Sequence, residues 1–117
     1  MKTLTVILFV FTSFCFNVTS FGQSAEVSIL TSAQCNMCKE RIEKTLLYTS
    51  GVVSSSLDVD TKYVKVVYKS KKTNPDRIRI AISKVGYQAD DLKADPLAYE
   101  KLPSCCQLQN DSKKCNH

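Results

Sequence analysis

The alternation of Val64, Val66 and Tyr68 with Tyr63, Lys65 and Val67 is the feature that most narrows the fold. A period of two sends successive side chains to opposite faces of a strand. A second such run precedes it, Val52 to Val59, in which Val53, Ser55, Leu57 and Val59 are expected to point inward. The polar turn Asp58-Val59-Asp60-Thr61-Lys62 joins the two, so the pair predicts an antiparallel hairpin. On either side of the hairpin the period lengthens to that of a helix. From about Met37 to Tyr48, Cys38, Ile42, Thr45 and Leu46 share one stripe, while Lys39, Glu40, Glu43 and Lys44 face water. Glu40 and Lys44 are correctly ordered for an i,i+4 ion pair. After the hairpin, Asn74-Pro75-Asp76 supplies a helix cap, a proline at the first helical position and an acid in the first turn. Ile78, Ala81, Ile82 and Val85 then make one buried face, and Gly86 is the stop.

Outer runs complete the order. Glu26 to Leu30 reads as a strand with Val27 and Ile29 on one face, and Tyr87 to Leu92 as a short last strand interrupted by Asp90 and Asp91. The sequence therefore predicts βαββαβ. The simplest way to close it is an α+β ferredoxin-like sandwich, a four-stranded antiparallel sheet with both helices on one face.

The flanks differ in character from this centre. Met1-Lys2, the apolar run Leu4 to Phe16 and the small residues of Ser20-Phe21-Gly22 form a secretory signal pattern over residues 1–22. The run is shorter than the ~20 residues of a comfortable membrane span, and no other stretch is long enough to span. Residues 23–92 are expected to be the folded domain. Residues 93–117 are expected to be a short helix, capped by Asp95 with Pro96 at its first position, and then a polar cysteine-rich tail beyond Pro103. An exported product would be periplasmic in a cell with two membranes and secreted otherwise. No transmembrane segment remains once the leader is gone. The net charge of +5 is dispersed among interleaved acids and bases, which gives no nucleic-acid footprint.

Chemistry concentrates in the cysteines. Six are present; loss of the leader removes Cys15 and leaves Cys35, Cys38, Cys105, Cys106 and Cys115. An odd number with an adjacent pair fits a wholly disulfide-stapled framework poorly, although an oxidising compartment favours disulfides. Cys105 and Cys106 are too close in sequence to bridge each other without strain. Cys35 falls in the loop leaving the first strand, and Cys38 in the first turn of the helix. The positive end of a helix favours thiolate. Two thiolates at one point suit Cu(I), Zn(II) or another soft ion. Two do not fill the tetrahedral shell of structural zinc, so an open shell suits an ion that is to be handed on. A redox pair remains the rival reading of the same spacing.

The strand, the Cys35-x-x-Cys38 loop and helix, the hairpin, and a second helix ending Val85-Gly86-Tyr87 together resemble the heavy-metal-associated domain. That is the fold of copper chaperones, of metal-binding modules in metal-exporting ATPases and of periplasmic mercury-binding proteins. The resemblance spans roughly Ala25 to Leu92. It implies that Cys35 and Cys38 are metal ligands and that Tyr87 lies near the metal loop. It also implies a soft cargo, Cu(I) first, with Hg(II) or Zn(II) as alternatives. The implied partner is a metal-transporting ATPase or another metal-binding domain that docks transiently with a monomer; a metal-bridged dimer is the other arrangement. Ser32-Ala33-Gln34 stands where the family usually has Gly-Met-Thr, and Ala33 leaves space beneath the loop for other side chains. The expected class is a binding protein, not an enzyme.

Several residues stay open at this point. Cys105 and Cys106 are candidate further ligands if the tail folds back, or else oxidised or disulfide-paired residues. Met37, between the cysteines, is a candidate thioether ligand that is expected to point outward. His117 is expected to be solvated, and Asn110-Asp111-Ser112 is a glycosylation sequon of consequence only in a eukaryote. The enzymatic alternative is a thiol–disulfide oxidoreductase using Cys35 and Cys38. Against it stand the absence of Trp and three prolines, Pro75, Pro96 and Pro103, all accounted for by helix starts and stops.

Overall fold

A computed structural model describes residues 23–107. The leader expected at residues 1–22, Cys115, His117 and the sequon lie outside those residues. Strand β1 (Ser24–Leu30) leads through a loop into helix α1 (Asn36–Leu47), the hairpin β2 (Val52–Leu57) and β3 (Tyr63–Lys69), and helix α2 (Pro75–Lys84). A short helix, α3 (Pro96–Glu100), and a single 3-10 turn, Ser104–Cys106, follow. The sheet is antiparallel throughout, in the order β1-β3-β2.

β3 is central, and its alternation gives one buried face: Val64, Val66 and Tyr68 are buried. Ile42 and Leu46 of α1 and Ile78 and Ile82 of α2 join the same core, with no exposed surface. Each such aliphatic side chain stabilises the fold by about 1.5–3 kcal/mol relative to leaving it in water. α2 begins where the sequence places it, with the Asn74 side chain accepting from the Arg77 N–H at 3.0 Å and Pro75 in the first turn. The hairpin turn is built by Asp58, whose carboxylate accepts from the Asp60 N–H at 2.9 Å while its carbonyl accepts from Lys62 at 2.7 Å.

Three sequence expectations are corrected. Val53 is exposed, not inward-facing, because the register shifts between Val52 and Ser54 and turns the strand over at that point. The ion pair on α1 is Lys39–Glu43, not Glu40–Lys44. Glu43 is drawn to that side because its carboxylate also accepts from the Leu57 N–H at the end of β2, at 2.9 Å.

The third correction is the fourth strand. Among the described residues the sheet has three strands, and Tyr87 to Leu92 contributes only a bridge from Ala89 to Thr31. The Asp90 N–H donates to the Leu30 carbonyl at 2.8 Å, and the Leu30 N–H donates to the Asp90 carboxylate at 2.9 Å. Asp90 adopts a left-handed backbone (φ 51), which turns the chain back so that Leu92 bonds to Ala89 rather than running on along β1. Arg79 holds the turn through the Asp90 carboxylate at 2.8 Å.

The turned chain is led across α2. The Ser83 hydroxyl donates to the Lys93 carbonyl at 2.7 Å, and the Asp95 N–H donates to the Ser83 carbonyl at 3.0 Å. α3 then lies directly on Gly86: a Cβ at that position would stand 3.0 Å from the backbone of Ala98 and Tyr99. Past α3, Leu102 and Cys106 are buried in the same core as the sheet and helices. No helix among the described residues is long and apolar enough to cross a membrane.

Candidate metal centre

The loop between β1 and α1 is fixed by short polar side chains. The Thr31 hydroxyl donates to the Lys62 carbonyl at 2.9 Å and accepts from the Ala33 N–H at 3.2 Å. The Ser32 hydroxyl accepts from the Gln88 N–H at 2.9 Å, which ties the loop to the segment after α2. Ala33 is wholly buried. Cys35 is the helix N-cap, in extended conformation, and its carbonyl accepts the first helical bond from Lys39 at 3.1 Å. Cys38 therefore stands in the first turn, and its side chain is buried.

The two sulfurs are 3.5 Å apart. Burial alone would raise the Cys35 pKa. The Cys38 N–H, the Cys38 and Cys106 thiols and the Met37 N–H outweigh it, so Cys35 is held below the usual thiol range. The helix start thus performs the task expected of it, with the effect resolved on Cys35.

The tail folds back onto this loop. The 3-10 turn is closed by the Cys106 N–H donating to the Pro103 carbonyl at 2.8 Å, and it brings the Cys106 sulfur to 3.9 Å from that of Cys35. The sulfurs of Cys35, Cys105 and Cys106 all lie within 4.8 Å of one another. Cys105 is half-buried, and its sulfur stands 3.7 Å from the Met37 thioether, so Met37 turns outward but toward a sulfur of the tail. None of the four described cysteines is in a disulfide. Burial, first, and the neighbouring thiols push Cys106 far above the usual range; Cys105 is raised by burial and by Cys35.

The turn is clamped from both sides. The Gln107 side chain donates to the carbonyls of Tyr99 at 3.2 Å, Glu100 at 3.3 Å and Leu102 at 3.2 Å. Its own carbonyl accepts from the Gln34 side chain of the loop at 3.4 Å. Gln34 is thereby a loop-to-tail tie. Sequence reasoning had no means to find Gln107, a polar residue in a polar stretch.

Beneath the sulfurs lies Tyr87. Its ring is fully buried, and its hydroxyl has no hydrogen-bond partner among the described residues. Burial, first, then the Cys106 and Cys38 sulfurs beside it, raise its pKa far above the ordinary phenol. The hydroxyl is thus a donor with two sulfurs beside it and no nitrogen or oxygen partner among the described residues. A separate groove of about 1010 Å³, lined by Leu30, Tyr63, Arg79, Ile80 and Asp90 among others, contains none of the cysteines.

Residues 32–88 match the family model of the heavy-metal-associated domain. This segment is a heavy-metal-associated domain. The chain is 35% identical over 60 residues to a copper-exporting P-type ATPase of Staphylococcus aureus; the aligned segment is 51% of this chain and 8% of the ATPase. A CopZ metallochaperone superposes with a TM-score of 0.54 at 24% identity, over 56% of this chain and 98% of that one. Oxidised MerP of Ralstonia metallidurans CH34 superposes with a TM-score of 0.56 at 19% identity, over 58% of this chain and 96% of its own. At such identities the two structures establish a shared fold. The heavy-metal-associated segment includes Cys35, Cys38 and Tyr87 and ends before α3; Cys105 and Cys106 lie outside it.

Proposed function

We propose that this protein binds a soft metal ion, Cu(I) in the first place, through the Cys35 and Cys38 thiolates, and serves as a carrier or scavenger. The observation that carries this reading is the convergence of cysteine sulfurs, none of them bridged, at the start of α1. Thiolates of this density select Cu(I), Hg(II) or Zn(II) over hard cations. Copper is favoured by the likeness to a copper-exporting ATPase over the heavy-metal-associated segment. Cys105 and Cys106 are further candidate donors. Transfer would go by stepwise thiolate exchange with a metal-transporting ATPase or another metal-binding domain, docked transiently to a monomer. The leader expected at residues 1–22 would direct the protein out of the cytoplasm.

The test is a titration of the anaerobically reduced chain with Cu(I) against a competing chelator, with Hg(II) and Zn(II) in parallel. Tight binding of Cu(I), lost in Cys35→Ser/Cys38→Ser, is the expected result. Tight binding that survives the double substitution would refute the assignment of ligands, and no tight binding of any soft ion would refute the function.

One observation favours a second reading. Cys35 carries a lowered pKa with its sulfur 3.5 Å from that of Cys38, the arrangement a thiol–disulfide oxidoreductase needs. On that reading, Cys35→Ser would abolish turnover of a disulfide substrate while leaving no metal phenotype.

A further inference from the structure

The heavy-metal-associated segment supplies two sulfurs and ends before α3, yet the chain beyond it is built back over those sulfurs. The construction is specific. Ser83 accepts the Asp95 N–H and donates to Lys93, Gly86 admits the α3 backbone at a distance a Cβ could meet only with some displacement, and Leu102 is buried. The Gln107 side chain then closes the turn by three carbonyl bonds, and its backbone is tied to Gln34. All of this delivers Cys106 to a site 1% exposed and 3.9 Å from the Cys35 sulfur.

The second observation concerns the residue beneath the sulfurs. The Tyr87 hydroxyl is completely buried, has no nitrogen or oxygen partner among the described residues and neighbours the sulfurs of Cys38 and Cys106. A buried hydroxyl without a partner carries a desolvation penalty that a metal-bound thiolate, a strong acceptor, would relieve.

Resting on the metal-binding reading above, we infer that residues 93–107 are a built-in closing arm: Cys106 is a third thiolate ligand, beside Cys35 and Cys38, and occupies the coordination position through which a recipient's thiolate must enter. The cargo is then an ion that accepts three sulfurs, and the protein retains it until the arm is displaced. Loading forms a sulfur–metal bond to Cys106 as its proton leaves to solvent. Release breaks that bond as the recipient's thiolate forms its own, and Cys106 takes a proton back. No electron is exchanged. Cys105, whose sulfur also lies within 4.8 Å of those of Cys35 and Cys106, is assigned to the mouth because it is the more exposed of the two adjacent tail cysteines and faces Met37 at 3.7 Å.

The distinction between the adjacent cysteines makes the inference testable. The full chain, reduced and loaded with Cu(I), is compared with Cys106→Ser, Cys105→Ser and Cys35→Ser/Cys38→Ser by X-ray absorption and by the rate of Cu(I) release to a chelator. The expected result is three sulfurs in the wild type and in Cys105→Ser, and two in Cys106→Ser. Release from Cys106→Ser should be faster by at least the ~10–100-fold that loss of even an outer-shell partner brings. Two sulfurs in the wild type, or equal release rates in Cys106→Ser and wild type, overturn the arm while leaving Cys35 and Cys38 as ligands. Three sulfurs that depend on Cys105 instead of Cys106 also overturn it. Copper retained by Cys35→Ser/Cys38→Ser overturns the underlying reading instead.

Discussion

The loop that carries Cys35 and Cys38 and the arm that carries Cys105 and Cys106 present the same functional group, held in different ways. The loop is positioned partly by its neighbours in sequence, through the Ala33 bond to Thr31 and the first turn of α1, and partly by ties from Thr31 to Lys62 and from Gln88 to Ser32. The arm reaches a sulfur 71 residues away; its own turn is closed locally by Gln107, and its seat on the domain is tertiary: Ser83, Gly86 and the buried Leu102. The electrostatic consequence is opposite too. The helix start and neighbouring thiols hold Cys35 low, whereas burial holds Cys106 high as a protonated thiol. Two thiols 3.9 Å apart are thus distinguished by where the fold puts them.

The largest separation of the two regions is expected from Gly86→Ala. Gly86 has φ +100, a conformation that costs a residue with a Cβ roughly 1–3 kcal/mol. The added Cβ would also meet Ala98 and Tyr99 backbone at 3.0 Å, so α3 must lift. Thermal denaturation should show a loss at the upper end of that range or beyond, with Cys106 opened to alkylation. A stable variant with Cys106 still protected would show that α3 does not depend on this close approach.

That contrast also explains what the sequence could reveal. Local chemistry was legible: the alternation of β3, the Asn74-Pro75 start of α2, Gly86 as its end, and the cysteine pair at the start of α1 all depend on residues within a turn or two of each other. What failed was decided at a distance. Val53 was turned out by a register shift against β3, and the fourth strand was ended by Asp90 bonding to Leu30 and Arg79. The return of the tail could be framed as an alternative but not chosen, because Gln107 and Ser83 carry no local signal.

Tyr87→Phe is expected to act in the opposite direction in the metal-free protein. Removing a buried hydroxyl that has no nitrogen or oxygen partner among the described residues removes its penalty, so the apoprotein should gain on the order of 1 kcal/mol. The ring and its packing are kept. Melting curves of the apo and Cu(I)-loaded forms separate the contributions: the apo form should melt higher, and the increment added by copper should shrink. An apo form that melts lower would mean that the hydroxyl already has a partner in solution.

The smallest expected effect tests the arm alone. The Asp95 carboxylate caps α3 by accepting from the Ala98 N–H at 3.3 Å, and Asp95→Ala should cost about 1 kcal/mol, confined to the arm. A penalty of that size multiplies the open population by about five. Where reclosing is fast relative to alkylation, Cys106 should therefore be modified about fivefold faster. Cys35 should respond the other way. The Cys106 thiol is one of the groups that lower its pKa, and an open arm withdraws that bond. Below the pKa of Cys35, a raised pKa means less thiolate, so its alkylation should slow slightly or stay unchanged while that of Cys106 accelerates. Mass spectrometry after brief alkylation resolves both sites in one sample. Equal acceleration of the two thiols would mean that Asp95 supports the whole fold and that the arm does not open as a unit.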